Sequence, residues 1–178
     1  MNNVVWFFPA VGLSVIVSIL SAVPLSRALR SSRLLAAMLV LSLGVIVSAT
    51  LTPLQSQVPA LVDRSCDFGR LWFIPLRELS SINDSSLNIV LFIPFGLAVG
   101  LVPDGPRRVI VEFAALMLPV AIEMVQLWAS PLARGCQSAD VIDNLTGLAI
   151  GLAAAAVTRR LVPSASAPRD PESSSGKG

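Results

Sequence analysis

Apolar residues run along this chain in five blocks, at residues 4–25, 34–51, 87–102, 109–128 and 139–158, separated by arginines, prolines and short polar runs. A helix of about 20 apolar residues crosses a hydrocarbon core roughly 30 Å thick, so the pattern predicts an all-α polytopic membrane bundle of five transmembrane helices. Two N-terminal transmembrane helices occupy residues 1–51, an outer loop 52–86, a core of three transmembrane helices 87–160, and a tail 161–178. The tail, "LVPSASAPRDPESSSGKG", is rich in Pro, Ser and Gly, cannot bury a core, and is expected to be disordered. The first block reads as a retained helix rather than a signal peptide. Met1-Asn2-Asn3 supplies no positive n-region, and the apolar run is longer than an h-region.

The connections alternate in charge. Arg27, Arg30 and Arg33 follow the first block, Arg107 and Arg108 the third, and Arg159 and Arg160 the fifth, whereas the other face carries only Arg64, Arg70, Arg77 and Arg134. The positive-inside rule then places the N-terminus outside and the C-terminus in the cytoplasm. "RLWFIPLREL" in the outer loop mixes aromatic, aliphatic and charged residues, which suits an interfacial segment with Trp72 and Phe73 at headgroup depth. "PDGPRR" at 103–108 is a tight turn and makes the third and fourth helices antiparallel neighbours.

Composition agrees with the pattern. Hydrophobic residues make up 54% and charged residues 13% of the 178, and mean hydropathy is +0.76, outside the range of soluble domains. The lipid bilayer is therefore the first partner. A net charge of +2 with scattered arginines does not suit nucleic-acid binding. The chain has no histidine, which removes the commonest transition-metal ligand and the usual neutral-pH base, so no metal or cofactor is predicted and any proton transfer falls to carboxylates.

Polar residues converge at one depth. Asn88 stands at the outer start of the third helix, Glu123 and Gln126 in the outer third of the fourth, and Asp140, Asp143 and Asn144 in the first two turns of the fifth. At 1.5 Å per residue all lie within about 10 Å of the outer interface. Asp140, Asn144, Gly147 and Gly151 form one stripe, polar outside and glycine-lined inside, with Asp143 on its flank. Its small-xxx-small half should face another helix. Glu123 and Gln126 share a face of the fourth helix, and Pro119 four residues before Glu123 removes an amide there.

Intramembrane ionisable residues are costly and mark candidate sites by default, here an outward-opening pocket. Plainer roles compete. Ser138 as an N-cap with Asp140 in the first turn would only start the helix, and Glu123 could serve a contact with Arg134 or Asn144. Glu112 reads as a solvated partner of Arg108 rather than a site residue. Cys66 and Cys136 fall in different outer loops, where an oxidising environment permits a disulfide; two unpaired thiols at the interface are the alternative.

"NIVLFIPFG", then "IEMVQ", then an arginine and "DVIDNLTG" resemble, in order and spacing, the pattern of VanZ-like membrane proteins, and "WFIPL" looks like the proline-containing segment that precedes it. The likeness covers roughly residues 70 to 152, and it falls on Asn88, Pro94, Gly96, Glu123, Gln126, Arg134, Asp140, Asn144 and Gly147. Ala139 stands where many members carry an acid, and Leu145 where threonine is common. The resemblance implies a bacterial-type plasma-membrane protein linked to lowered susceptibility to teicoplanin and related lipoglycopeptides, antibiotics of the cell envelope; it supplies no reaction.

Three functions fit. The first is a non-enzymatic protein whose pocket binds a lipoglycopeptide or lipid-linked wall precursor, with Arg134 placed for a phosphate or carboxylate. The second is a membrane-embedded enzyme using Glu123 and Asp143 as general acid and base. No nucleophile elbow, Cys/His pair or phosphate-cradling loop accompanies those carboxylates. The third is a scaffold whose polar cluster only locks helix packing.

Overall fold

The structure, a computed structural model, describes residues 6–52, 65–70, 72, 84–129 and 136–161. Within them lie five helices, α1 (Phe7–Leu29), α2 (Arg33–Thr50), α3 (Asp84–Gly100), α4 (Pro106–Trp128) and α5 (Ser138–Leu161). Two short strands, β1 (Cys66–Asp67) and β2 (Cys136–Gln137), pair in parallel. Helices α1, α2, α4 and α5 are long and apolar enough to cross a membrane. At 17 residues α3 covers roughly 25 Å, and the Leu101 amide adds a further helical bond to the Leu97 carbonyl. The all-α membrane bundle read from hydropathy is thus the fold, with one two-residue β pair added.

Local chemistry sets the helix ends. Leu29 hands over to Arg30 in the left-handed region (φ 53°), and the amides of Arg30 and Ser31 return to the carbonyls of Arg27 and Ser26. Ser32 then caps α2, its hydroxyl accepting from the Leu35 amide at 3.1 Å. Before α4, Gly105 adopts φ 139°, a conformation that L side chains resist, and Pro106 opens the helix where no amide partner is needed. Helix α3 starts three residues before its apolar block because Asp84, Ser85 and Ser86 form a polar first turn.

Helix α5 packs most extensively on α3, through glycines on both. A Cβ placed on Gly147 would stand 2.1 Å from the Ile89 carbonyl oxygen, one on Gly151 2.3 Å from that of Ile93, and one on Gly96 2.4 Å from that of Leu148. The two backbones are therefore in direct contact, as small residues allow between membrane helices. Around that seam Phe92, Val99, Val102, Leu148 and Ile46 are completely or almost completely buried. Helices α1 and α2 use small polar residues instead: Ser18 donates to the Ala37 carbonyl at 2.7 Å, and Gly44 lies against Ser14. Most of α1 is exposed, including Phe8, Leu13, Ile19 and Leu20, as suits a helix facing acyl chains.

The two ends of the bundle differ. At one end Asp104 binds Arg108 and Arg159, and Arg159 also donates to the Val102 carbonyl, which ties the α3–α4 turn to the end of α5. Those two guanidiniums, Arg159 foremost, hold the Asp104 carboxyl below its ordinary range. Arg108 also binds Glu112 one turn on, as their spacing predicted. At the other end Gln126 donates to the Thr50 carbonyl at 2.9 Å and joins the last turns of α4 and α2. By the positive-inside rule the arginine-rich end is the expected cytoplasmic one, and the opposite end, with the strands and polar residues, is the expected outer end.

Candidate functional site

The outer end is organised by a disulfide. Cys66 and Cys136 are bonded, with Cα atoms 4.6 Å apart, and the strands pair in register as Cys66 with Cys136 and Asp67 with Gln137. The cross-link fastens a piece of the long outer loop over the start of α5. Arg70 follows four residues later and reaches down: its guanidinium forms an ion pair with Asp143 and donates to Ser85 Oγ at 3.2 Å and the Ala139 carbonyl at 3.3 Å. The Ser138 hydroxyl donates to the Arg70 carbonyl at 2.7 Å. Ser138 thus fastens the loop and is the first residue of α5, rather than the N-cap its position suggested.

Asp143 is fully buried, so its charge must be compensated within the protein. Arg70 compensates one carboxylate oxygen. Among the described residues, Oδ1 of Asp143 has no hydrogen-bond partner, and neither has Oδ1 of Asn144, the next residue and equally buried.

Glu123, 4% exposed, accepts from the Gln137 backbone amide at 2.8 Å. Its described partner is therefore the strand that the disulfide positions, and not Asn144. The other suggested partner, Arg134, lies outside the described residues.

These groups surround a cavity of 660 Å³ between α2, α3, α4, β2 and α5. Asn88, Glu123, Gln126, Asp140 and Asn144 line it together with Asp84, Gln137 and Thr50, and Phe7, Leu87, Val90 and Leu91 add apolar groups to the lining. Five of the seven candidates are thus brought to one space. Asp143 stands behind its wall, paired with Arg70, so Glu123 and Asp143 do not face each other across it. Among the described residues no group of three or more His, Cys, Asp or Glu is placed to hold a metal ion.

Arg70 is the residue that sequence reasoning passed over. Its signal was available: one of four outer arginines, it immediately precedes the "LWFIPL" segment. The contributions of Thr50 and Gln137 come through backbone carbonyl and amide, which no side-chain pattern reveals. The VanZ/LLP1 family model matches residues 39–159, more than half of the chain, and spans every lining residue of the cavity except Phe7. Neither a curated protein nor a solved structure matches the chain at a significant level.

Proposed function

The chain belongs to the VanZ/LLP1 family, and from that premise we propose that it is a bacterial plasma-membrane protein whose outer cavity binds an amphiphile. The ligand is a lipoglycopeptide or a lipid-linked wall precursor, and binding it lowers the action of teicoplanin at the membrane. One observation carries this reading. A 660 Å³ cavity at the expected outer end is lined by polar Glu123, Asp140 and Asn144 together with apolar Leu87, Val90 and Leu91. Such a mixed lining suits a ligand with both a headgroup and an acyl chain. The cost of holding Glu123 and Gln126 almost fully buried at this depth also favours a role beyond packing, because apolar residues would fill the same volume without that cost.

Teicoplanin susceptibility tests the reading in cells expressing the wild type, Glu123→Gln or Asp140→Asn at matched membrane abundance. Both changes remove charge and nearly preserve shape. Protection by the wild type and its loss in either variant is the expected result. Equal susceptibility of all three strains and the empty-vector control would remove the resistance role.

A further inference from the structure

We propose that the arginine-rich end holds an anionic phospholipid, with one acyl chain between α1 and α2 and the phosphate on the arginines of their turn. A groove of 480 Å³ runs between these helices, lined by Val17, Ser21, Pro24, Leu25 and Ala28 of α1 and Val40 of α2. The Ser21 hydroxyl is turned to its own helix, donating to the Val17 carbonyl at 2.7 Å, so the groove presents hydrocarbon to its occupant. From Val17 to Ala28 it extends about 16 Å along α1, close to the roughly 15 Å of hydrocarbon in one leaflet. The site lies apart from the cavity at the other end and does not depend on it.

Both walls of the groove end in an arginine. Arg27 stands between Pro24 and Ala28 in the last turn of α1, and Arg33, the first residue of α2, lies two helical turns before Val40 on the same face. Arg27, Arg30 and Arg33 are all exposed. Neither helix supplies an acid, because the first in the chain is Asp63, and at the same end Asp104 and Glu112 bind Arg108 and Arg159. A guanidinium takes two phosphate oxygens at once while its aliphatic stem lies along apolar surface. By the positive-inside rule this end meets the cytoplasmic leaflet, whose anionic lipids attract basic segments beside the membrane. The tail's Asp170 and Glu172, which lie outside the described residues, are the competing acids for this turn.

Native mass spectrometry of the full-length protein released from neutral detergent micelles tests this by comparing retention of phosphatidylglycerol with that of phosphatidylcholine carrying the same chains. Phosphatidylglycerol is expected to be retained about tenfold or more the better, since each arginine near the headgroups adds about fivefold to the affinity for an anionic lipid. Arg27→Gln with Arg33→Gln should remove most of that preference. Arg107→Gln with Arg160→Gln, which takes as many exposed arginines from the same end, should leave it in place. Ala28→Phe fills the groove without changing any charge and should lower retention of phosphatidylglycerol as well. Equal losses from the two arginine pairs would reduce the site to general surface charge and overturn it, as would unchanged retention by Ala28→Phe. Absence of any preference in the wild type would also overturn it, and a preference appearing only in Asp170→Asn with Glu172→Gln would assign the turn to the tail instead.

Discussion

Gly151→Ala should weaken the bundle although alanine is the better helix former. The added Cβ would stand 2.3 Å from the Ile93 carbonyl oxygen, 2.6 Å from the Leu97 nitrogen and 2.8 Å from the Gly96 carbonyl carbon. All three are backbone atoms of α3 and cannot rotate aside. A tolerable carbon–oxygen contact begins near about 3.3 Å, so the two helices must part by about 1 Å. A gap of that size forfeits roughly a quarter to a half of the dispersion energy of the facing atoms. Overpacking of this kind costs about 1–3 kcal/mol. Helix propensity returns up to about 1 kcal/mol, and Gly12→Ala in α1 supplies the control because a Cβ there meets nothing within 4 Å. The propensity gain is common to both variants, so their difference isolates the clash, about 1–3 kcal/mol. Reversible unfolding in mixed micelles, followed by tryptophan fluorescence as the dodecyl sulfate fraction rises, measures that difference. Equal midpoints for Gly151→Ala and Gly12→Ala would refute backbone contact between α3 and α5.

Arg70→Ala strands a fully buried Asp143 and should cost about 3–5 kcal/mol, most of it recovered when Asp143→Asn is added; a single variant as stable as wild type in the same titration would contradict the buried pair. The Cys66–Cys136 bond closes a separation of 70 residues, so dithiothreitol or paired serine substitutions should remove about 2–4 kcal/mol and lower the melting temperature, and insensitivity to reductant would argue against the bond. Asp104 is held below its ordinary value of 3.8 by Arg159 and Arg108, so its contribution to stability is complete above that value and is lost as pH falls through the lower folded one. Melting curves of wild type and Asp104→Asn should therefore differ at neutral pH and converge in strong acid; a constant gap would show that the pair contributes nothing.

The helices were legible because bilayer-length apolar runs leave little freedom of interpretation, and α3 shows the boundary of that signal. Its polar first turn, Asp84-Ser85-Ser86, is helical yet looks like loop in hydropathy. The stripe Asp140, Asn144, Gly147 and Gly151 was legible from helical spacing alone, and its glycines do meet a neighbouring helix. Partner choice was less so. Glu123 was expected to meet Arg134 or Asn144, of which Arg134 lies outside the described residues, and no side-chain pattern announced that its carboxylate also takes a backbone amide whose position depends on a disulfide to a residue 70 positions away. Arg70 carries no periodicity, because it belongs to neither a helix nor a strand; only tertiary structure brings it to Asp143.

The stripe on α5 also explains why a cavity lies where it does. Below Asn144, Gly147 and Gly151 let α3 touch the backbone of α5, and no space remains between them. Above that point the stripe carries Asn144 and Asp140, whose side chains line the opening. The same face thus closes the bundle in the membrane interior and opens it at the outer end. The loop limits how far that opening spreads, since Arg70 clamps Asp143 and Ser138 clamps the Arg70 carbonyl from one side of α5. Loosening the glycine seam should then reshape the cavity floor, whereas breaking the disulfide should free its rim. Gly147→Ala, one turn below Asn144 with its Cβ 2.1 Å from the Ile89 carbonyl oxygen, is accordingly expected to impair ligand retention more than Gly151→Ala does.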